Sequence, residues 1–101
     1  MKILFHPNRE DIELTSVLYA LSDPIRLQLV LSIKKNGEQP CGHFEFPVVK
    51  STMTHHIRTL REAGVLHVRK QGTQHFLTLR ADDLSMRFPG LLEAILHAGE
   101  L

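Results

Sequence analysis

The feature that most constrains this sequence is a change of hydrophobic period at Gly64. Between 51 and 63 the apolar residues recur at the spacing of a helix, whereas 66–79 alternate apolar and polar residues as a strand does. The alternation is interrupted by a polar tip with a glycine, at 70–74, which is typical of a β-hairpin. The second half of the chain should therefore be a helix followed directly by a hairpin.

The helix at about 51–63 has two distinct faces. Ser51 is its predicted N-cap, and Gly64 stands where a left-handed residue ends a helix. One face is apolar and holds Met53, Ile57 and Leu60. The other sides carry hydroxyl, imidazole and charged groups, from Ser51, Thr52, Thr54, His55, Arg58, Thr59 and Glu62. This helix should pack on a core and present a hydrogen-bonding surface.

Five further elements complete the pattern. A first helix is predicted from Leu14, Val17, Leu18 and Leu21, and a second from Asp23 as N-cap to Asn36-Gly37 as stop. Prolines and a glycine leave room for only a turn or two of helix at 41–46. After the hairpin, 81–88 predict a short helical turn and 89–101 a terminal helix.

This order, α-α-α-α-β-β-α, is that of a winged helix-turn-helix, mainly α with a small β-hairpin. In that architecture the polar-faced helix enters the major groove of DNA, and the hairpin tip, the wing, lies along the backbone or the adjacent minor groove. The 101 residues can bury one small core, so we expect a single domain over 1–101 that dimerisation would help to stabilise.

The charge is unevenly distributed along the chain. From Lys50 to Arg80 there are six basic residues against one acid, Glu62, a local charge of +5 within a total of +1, so the rest carries −4. Four of the seven histidines also lie there. A face that meets a polyanion and an ordinary solvated basic surface explain the charge equally well.

The residues expected to contact DNA fall into three groups. Lys50, Arg69 and Lys70 suit phosphates, because a cation there releases condensed counterions. Hydrogen-bonding side chains of the polar-faced helix suit base edges: Ser51, Thr52, Thr54, His55 and Arg58. The remaining candidates belong to the wing tip: Gln71, Thr73 and Gln74.

Three stretches, "ALSDPIRLQLV", "STMTHHIRTLREAGVL" and "RKQGTQHFLTL", resemble the ArsR family of small dimeric bacterial winged-helix repressors. The resemblance covers residues 14–96. It implies a cytoplasmic homodimer, built largely from the first and last helices, that binds a partly palindromic operator and represses transcription. The dimer residues it implies are Leu14, Val17, Leu18, Leu91, Leu92, Ile95 and Leu96. The segment "CGHFEFPVVKS" is shorter than the family's positioning helix and turn.

The adjacent histidines His55 and His56 should have different roles. Neighbouring residues of a helix point about 100° apart, so the two cannot share a metal or a proton as residues four apart can. His56 resembles the family's motif histidine and should be packed beneath the helix with a ring nitrogen hydrogen-bonded. His55 should face outward to DNA.

Many members of this family sense metals, but the resemblance supplies only half a site here. The positioning segment holds Cys41 without a second cysteine, and on the terminal helix only His97 and Glu100 match ligands, with Met86 and Leu84 in the other two places. No metal and no cofactor are therefore expected, and the effector is unknown. A metal- or redox-sensing member, using Cys41, is retained as an alternative.

Two other classes of protein fit the sequence less well. A winged-helix module that binds protein and not DNA should lack the +5 segment. A small hydrolase using the histidines and Cys41 lacks a nucleophile elbow, a phosphate loop or paired carboxylates, so no enzyme is expected. The single cysteine, the absence of an apolar run of ~20 residues and the polar start "MKILFHPNRE" favour a cytoplasmic protein.

Overall fold

A computed structural model describes residues 4–44 and 46–101 of the chain. The helices are α1 (Leu14–Leu21), α2 (Pro24–Asn36), α3 (Lys50–Glu62), α4 (Ala81–Arg87) and α5 (Leu91–Gly99). The strands are β1 (Gln39–Pro40), β2 (Leu66–Gln71) and β3 (Gln74–Leu79), and 3-10 turns lie at Arg9–Asp11 and Cys41–His43. The predicted mainly α fold with a hairpin is confirmed, and none of the described helices has the length and apolar content to cross a membrane.

Helix α2 begins where the sequence predicts. The carboxylate of Asp23 accepts hydrogen bonds from the backbone N–H groups of Ile25 (2.8 Å) and Arg26 (3.1 Å), and Pro24 opens the helix. Burial acts to raise the pKa of Asp23, but these two hydrogen bonds and the nearby charge of Arg26 outweigh it, so the pKa is lowered. The carboxylate thus stays ionised and caps the helix.

Helix α3 starts earlier than predicted, and Ser51 is not its N-cap. Val49 has the extended backbone of a cap residue, without a side-chain capping bond, and its carbonyl accepts from Met53 N–H at 3.0 Å. The helical ladder therefore begins before Ser51, whose hydroxyl lies exposed in the first turn and is not used for capping.

The end of α3 is as predicted. Gly64 has φ +88°, a conformation that glycine adopts without strain, and Val65 N–H donates back to the Leu60 carbonyl at 3.0 Å. A Cβ on Gly64 would also stand 2.6 Å from Cγ1 of Ile12. The turn thus needs glycine for its backbone and for its packing.

The hairpin is confirmed, and a third strand joins it. β2 and β3 pair antiparallel from Leu66 opposite Leu79 to Gln71 opposite Gln74. The short β1 pairs antiparallel with the other edge of β3, giving the order β1-β3-β2. Strand β1 was not predicted from the sequence, because two residues are too few to show an alternating pattern. Pro40 is acceptable in it because β1 is an edge strand.

The core lies between the sheet and the packed faces of the helices. Its largest fully buried side chains come from the first three helices, the hairpin and the segments beside them, namely Ile12, Val17, Leu29, Val30, Leu60, Val65, Leu66 and Leu77. Leu66, Val68 and Leu77 face inward as the alternation predicts, and Leu79 is partly buried. The 41–46 segment forms only the 3-10 turn Cys41–His43, with Glu45 outside the described residues.

Candidate nucleic-acid interface

Helix α3 is packed on its apolar side and open on its polar side. Ile57 and Leu60 are buried and Met53 is partly buried. The candidate base-contacting residues are on the other side, with Ser51, Thr54, His55 and Arg58 exposed and Thr52 partly exposed. Within 4–44 and 46–101, only Thr54 among these five uses its side chain in a hydrogen bond, to the Lys50 carbonyl at 3.0 Å. The donors and acceptors of the other four are available to a partner.

Beneath α3, His56 is buried and its Nδ1 lies 3.1 Å from Nη1 of Arg26. The predicted position of His56, under the helix with a ring nitrogen hydrogen-bonded, is confirmed. Its partner Arg26, only 5% exposed, was not predicted. The sequence feature that could have indicated this partner is the single arginine among the apolar residues in the first half of α2.

The wing tip, 70–74, is exposed as predicted. Arg69, at the end of the wing, is engaged within the chain. Its Nη2 lies 3.1 Å from Oε1 of Glu38, its Nη1 donates to Oε1 of Gln71 at 2.6 Å, and its guanidinium lies over the ring of Phe76. A phosphate would have to compete with Glu38 for this cation.

Two other basic residues of the +5 segment are structural. Arg80 pairs with Asp83 at 2.9 Å and donates to the Pro7 carbonyl, and Arg61 donates to the Phe5 carbonyl at 3.0 Å. Lys50, Arg58 and Lys70 have no side-chain hydrogen bond or salt bridge to the described part of the chain. These three cations are the ones most available to a polyanion.

The segment before α1 covers the outer edge of β2. The Val68 N–H donates to Nε2 of His6 at 3.0 Å, and the His6 ring stacks on His67 with 4.5 Å between centroids. Burial, then the charges of His67, Arg61 and Arg80, lower the pKa of His6, although a backbone contact at Leu4 opposes them. The neutral ring is the form that accepts this bond, which the sequence pattern did not reveal.

Known proteins resemble this chain in sequence and in structure, although no family model matches it. The uncharacterized HTH-type transcriptional regulator YceK of Bacillus subtilis is 34% identical over 82 residues, 78% of this chain and 82% of that protein. The arsenical resistance operon repressor of Staphylococcus xylosus is 34% identical over 76 residues, 71% and 70% of the two chains. The crystal structure of an ArsR family transcriptional regulator superposes with a TM-score of 0.65, covering 86% of this chain and 91% of the other at 22% identity, which shows the shared fold.

The chain belongs to the ArsR family of winged helix-turn-helix transcriptional regulators. The resemblance read from the sequence is thus confirmed. The named relatives of this ArsR-family chain are regulators of transcription and not enzymes.

The structure narrows the residues that this ArsR-family chain could use for dimerisation. Val17, Leu92 and Leu96 are buried in the core of the single chain, so they are not part of the outer surface predicted for them. Of the seven residues expected at the interface, four are still available: Leu14 and Leu18, each 43% exposed, and the partly buried Leu91 and Ile95. Helical periodicity alone does not distinguish a core stripe from an interface stripe.

Cys41, one of the alternatives for sensing by this ArsR-family chain, is half-buried in the 3-10 turn. Burial raises the pKa of its thiol, and nearby Lys50 opposes this only in part. A raised pKa keeps the sulfur as the less reactive thiol. In 4–44 and 46–101, no three His, Cys, Asp or Glu side chains are grouped closely enough to hold a metal ion.

Proposed function

We propose that the protein is a homodimeric repressor that binds a partly palindromic operator in the bacterial cytoplasm. Helix α3 enters the major groove, and the wing lies along the backbone or in the adjacent minor groove. The observation that carries this proposal is the polar face of α3, with Ser51, Thr52, His55 and Arg58 unoccupied above a buried apolar side. Membership of a family of transcriptional regulators supports it.

Specificity and general affinity are assigned to different residues. Arg58, exposed on the third turn of α3, suits bidentate contact with a guanine edge. Lys70, exposed in the wing, suits a phosphate, which any sequence offers. The base-reading set is Ser51, Thr52, Thr54, His55 and Arg58, and the backbone set is Lys50, Arg69, Lys70, Gln71, Thr73 and Gln74.

Dimerisation is proposed through the exposed parts of α1 and α5, with Leu14 and Leu18 as its α1 contacts. A two-fold axis would present two α3 helices to half-sites about one helical turn of DNA, ~34 Å, apart. Leu18→Glu, a charge at an exposed apolar position, should yield monomers in sedimentation equilibrium while leaving the fold intact. A dimer that withstands this change would place the interface elsewhere.

The test of DNA binding is selection of bound sequences from a random DNA pool, followed by titrations over a range of salt concentrations. Arg58→Ala should weaken binding to the selected sequence by ~1–3 kcal/mol and relax the preference at one position. Lys70→Ala should weaken binding to all sequences and reduce the salt slope by about one. Recovery of no preferred sequence would favour a protein-interaction module, and identical behaviour of the two variants would refute the assignment of roles.

A further inference from the structure

Arg26 belongs to α2, but its side chain joins the two helices on either side. The Nε group donates to the Ala20 carbonyl at 2.7 Å, and Nη2 to the Tyr19 carbonyl at 3.3 Å, both at the end of α1. The remaining contact is the one from Nη1 to Nδ1 of His56, on α3. One buried side chain thus connects the C-terminal end of α1 to the underside of the candidate recognition helix.

A buried arginine in this position is not explained by packing alone. Among the described residues Arg26 has no salt bridge, and the carbonyls at the negative end of α1 compensate its charge. Replacing buried charges by apolar groups of similar volume often leaves stability unchanged or improves it. A better explanation for a buried arginine is that its hydrogen bonds are directional and fix the orientation of α1 and α3 relative to α2.

The contact also fixes the protonation state of His56. An arginine side chain has five N–H donors and no acceptor, so Nδ1 of His56 must accept and its ring proton must be on Nε2. A second proton, on Nδ1, would remove the acceptor and leave two cations facing each other in a buried site. The contact therefore exists only with a neutral His56.

Several charged or titratable groups surround this contact. At the N-cap of α2, Asp23 is close enough to attract Arg26 and a protonated His56, and on α1 the Tyr19 ring centroid lies 5.2 Å from the guanidinium carbon of Arg26. On α3 itself, the His55 ring centroid lies 6.0 Å from that of His56. Asp23 is the only carboxylate among these groups, and its oxygen is already bonded to two backbone N–H groups of α2.

The geometry of α3 explains why the contact matters for DNA. Apolar packing of Ile57 and Leu60 holds the helix against the core but is not directional. The hydrogen bond from Arg26 is directional, and it restrains rotation of α3 about its own axis. Side chains have fixed angular positions around a helix, with neighbours about 100° apart. A rotation of α3 that moves His56 therefore also changes the direction of His55 and Arg58.

We propose that Arg26 is a positioning residue that holds α3 in register for base recognition through unprotonated His56, so that sequence-specific binding is lost in acid while general DNA binding is not. The inference rests on the proposed function of α3. Acid should otherwise strengthen binding to DNA, because a protein that takes up protons becomes more positive and is attracted more strongly to a polyanion. A loss of affinity for the selected operator in acid is therefore opposite to the general effect of pH on DNA binding.

The experiment compares affinity for the selected operator with affinity for unrelated DNA, at about pH 7.5 and about pH 5.5, a range over which histidines titrate. In the wild type the ratio should fall by about tenfold in acid, the factor expected for one lost buried hydrogen bond. His56→Asn places an amide oxygen near the position of Nδ1 and does not titrate, so its ratio should stay constant. His43→Asn, an exposed histidine of the 3-10 turn outside the proposed DNA and dimer surfaces, is the matched control and should retain the acid loss.

Two further measurements test the contact between Arg26 and His56 directly. The ring-nitrogen shifts of His56 in the free protein should show the proton on Nε2 at neutral pH, and Arg26→Lys should lower the ratio even at neutral pH. A wild-type ratio that does not change with pH, an Asn variant that still loses specificity in acid, or a proton on Nδ1 would overturn the role of Arg26. Absence of any preferred sequence at neutral pH would instead refute the proposed function. The ring-nitrogen shifts would still show whether Nδ1 of His56 accepts a hydrogen bond from Arg26.

Discussion

Glu38 should restrain DNA binding by the wing, because its carboxylate pairs with Arg69. Both side chains are more than a third exposed, so the pair should contribute only ~0–1 kcal/mol to folding. Glu38→Gln should therefore leave the fold intact while making the Arg69 guanidinium available to a phosphate. The variant should bind all DNA sequences more tightly at low salt.

The magnitude follows from counterion release. Each additional phosphate contact steepens the slope of log K against log salt by about 0.9, so two copies in a dimer should add about 1.8. Over a fourfold rise in salt this slope corresponds to a loss of affinity about twelvefold larger than in the control. Fluorescence anisotropy with labelled DNA, repeated along a salt series, measures both quantities.

The control is Glu10→Gln, which makes the same change of charge at an exposed residue of the first 3-10 turn. Among the described residues Glu10 has no salt bridge, so any difference between the variants reports the local effect at Arg69. Equal salt slopes for the two variants would show that Arg69 does not contact phosphate. The wing would then act through Lys70 without it.

Three further substitutions test features of the fold. Gly64→Ala should cost ~1–2 kcal/mol for its left-handed backbone and more for the contact with Ile12, seen as a lowered urea midpoint; an unchanged midpoint would contradict this. The lowered pKa of His6 means that the unfolded chain takes up the proton first, so stability should fall as pH drops below ~6.5, and His6→Gln should remove that dependence. Hydrogen bonds, from Arg9 above all and from Arg80, lower the pKa of Asp83, so its contribution should be present above ~pH 4 and lost as pH falls through the lowered value. Asp83→Asn should lower the free energy of unfolding by about 1–2 kcal/mol at neutral pH, measured by thermal unfolding. If the difference from wild type stayed the same in acid, the role of ionisation would be refuted.

Features that depend on local chemistry were predictable from the sequence. The capping of α2 by Asp23, the end of α3 at Gly64 and the pairing of the hairpin each involve residues close along the chain. The N-cap of α3, which is Val49 and not Ser51, is a local feature that was predicted wrongly, whereas the interactions that were missed join distant residues. Arg26 and His56 are 30 positions apart, and Glu38 and Arg69 are 31 apart, and neither pair leaves a periodic signal. Burial of Val17 was missed because an apolar stripe fits a core and an interface equally well.

The distant pairs also change the meaning of the basic segment. Its six cations include two that are used inside the fold, Arg61 and Arg80, and one, Arg69, that a carboxylate outside the segment balances. The exposed face is therefore less positive than a local charge of +5 indicates. Because general attraction to phosphate is limited in this way, recognition should depend more on how accurately α3 is aimed, which is the property that Arg26 and His56 are placed to control.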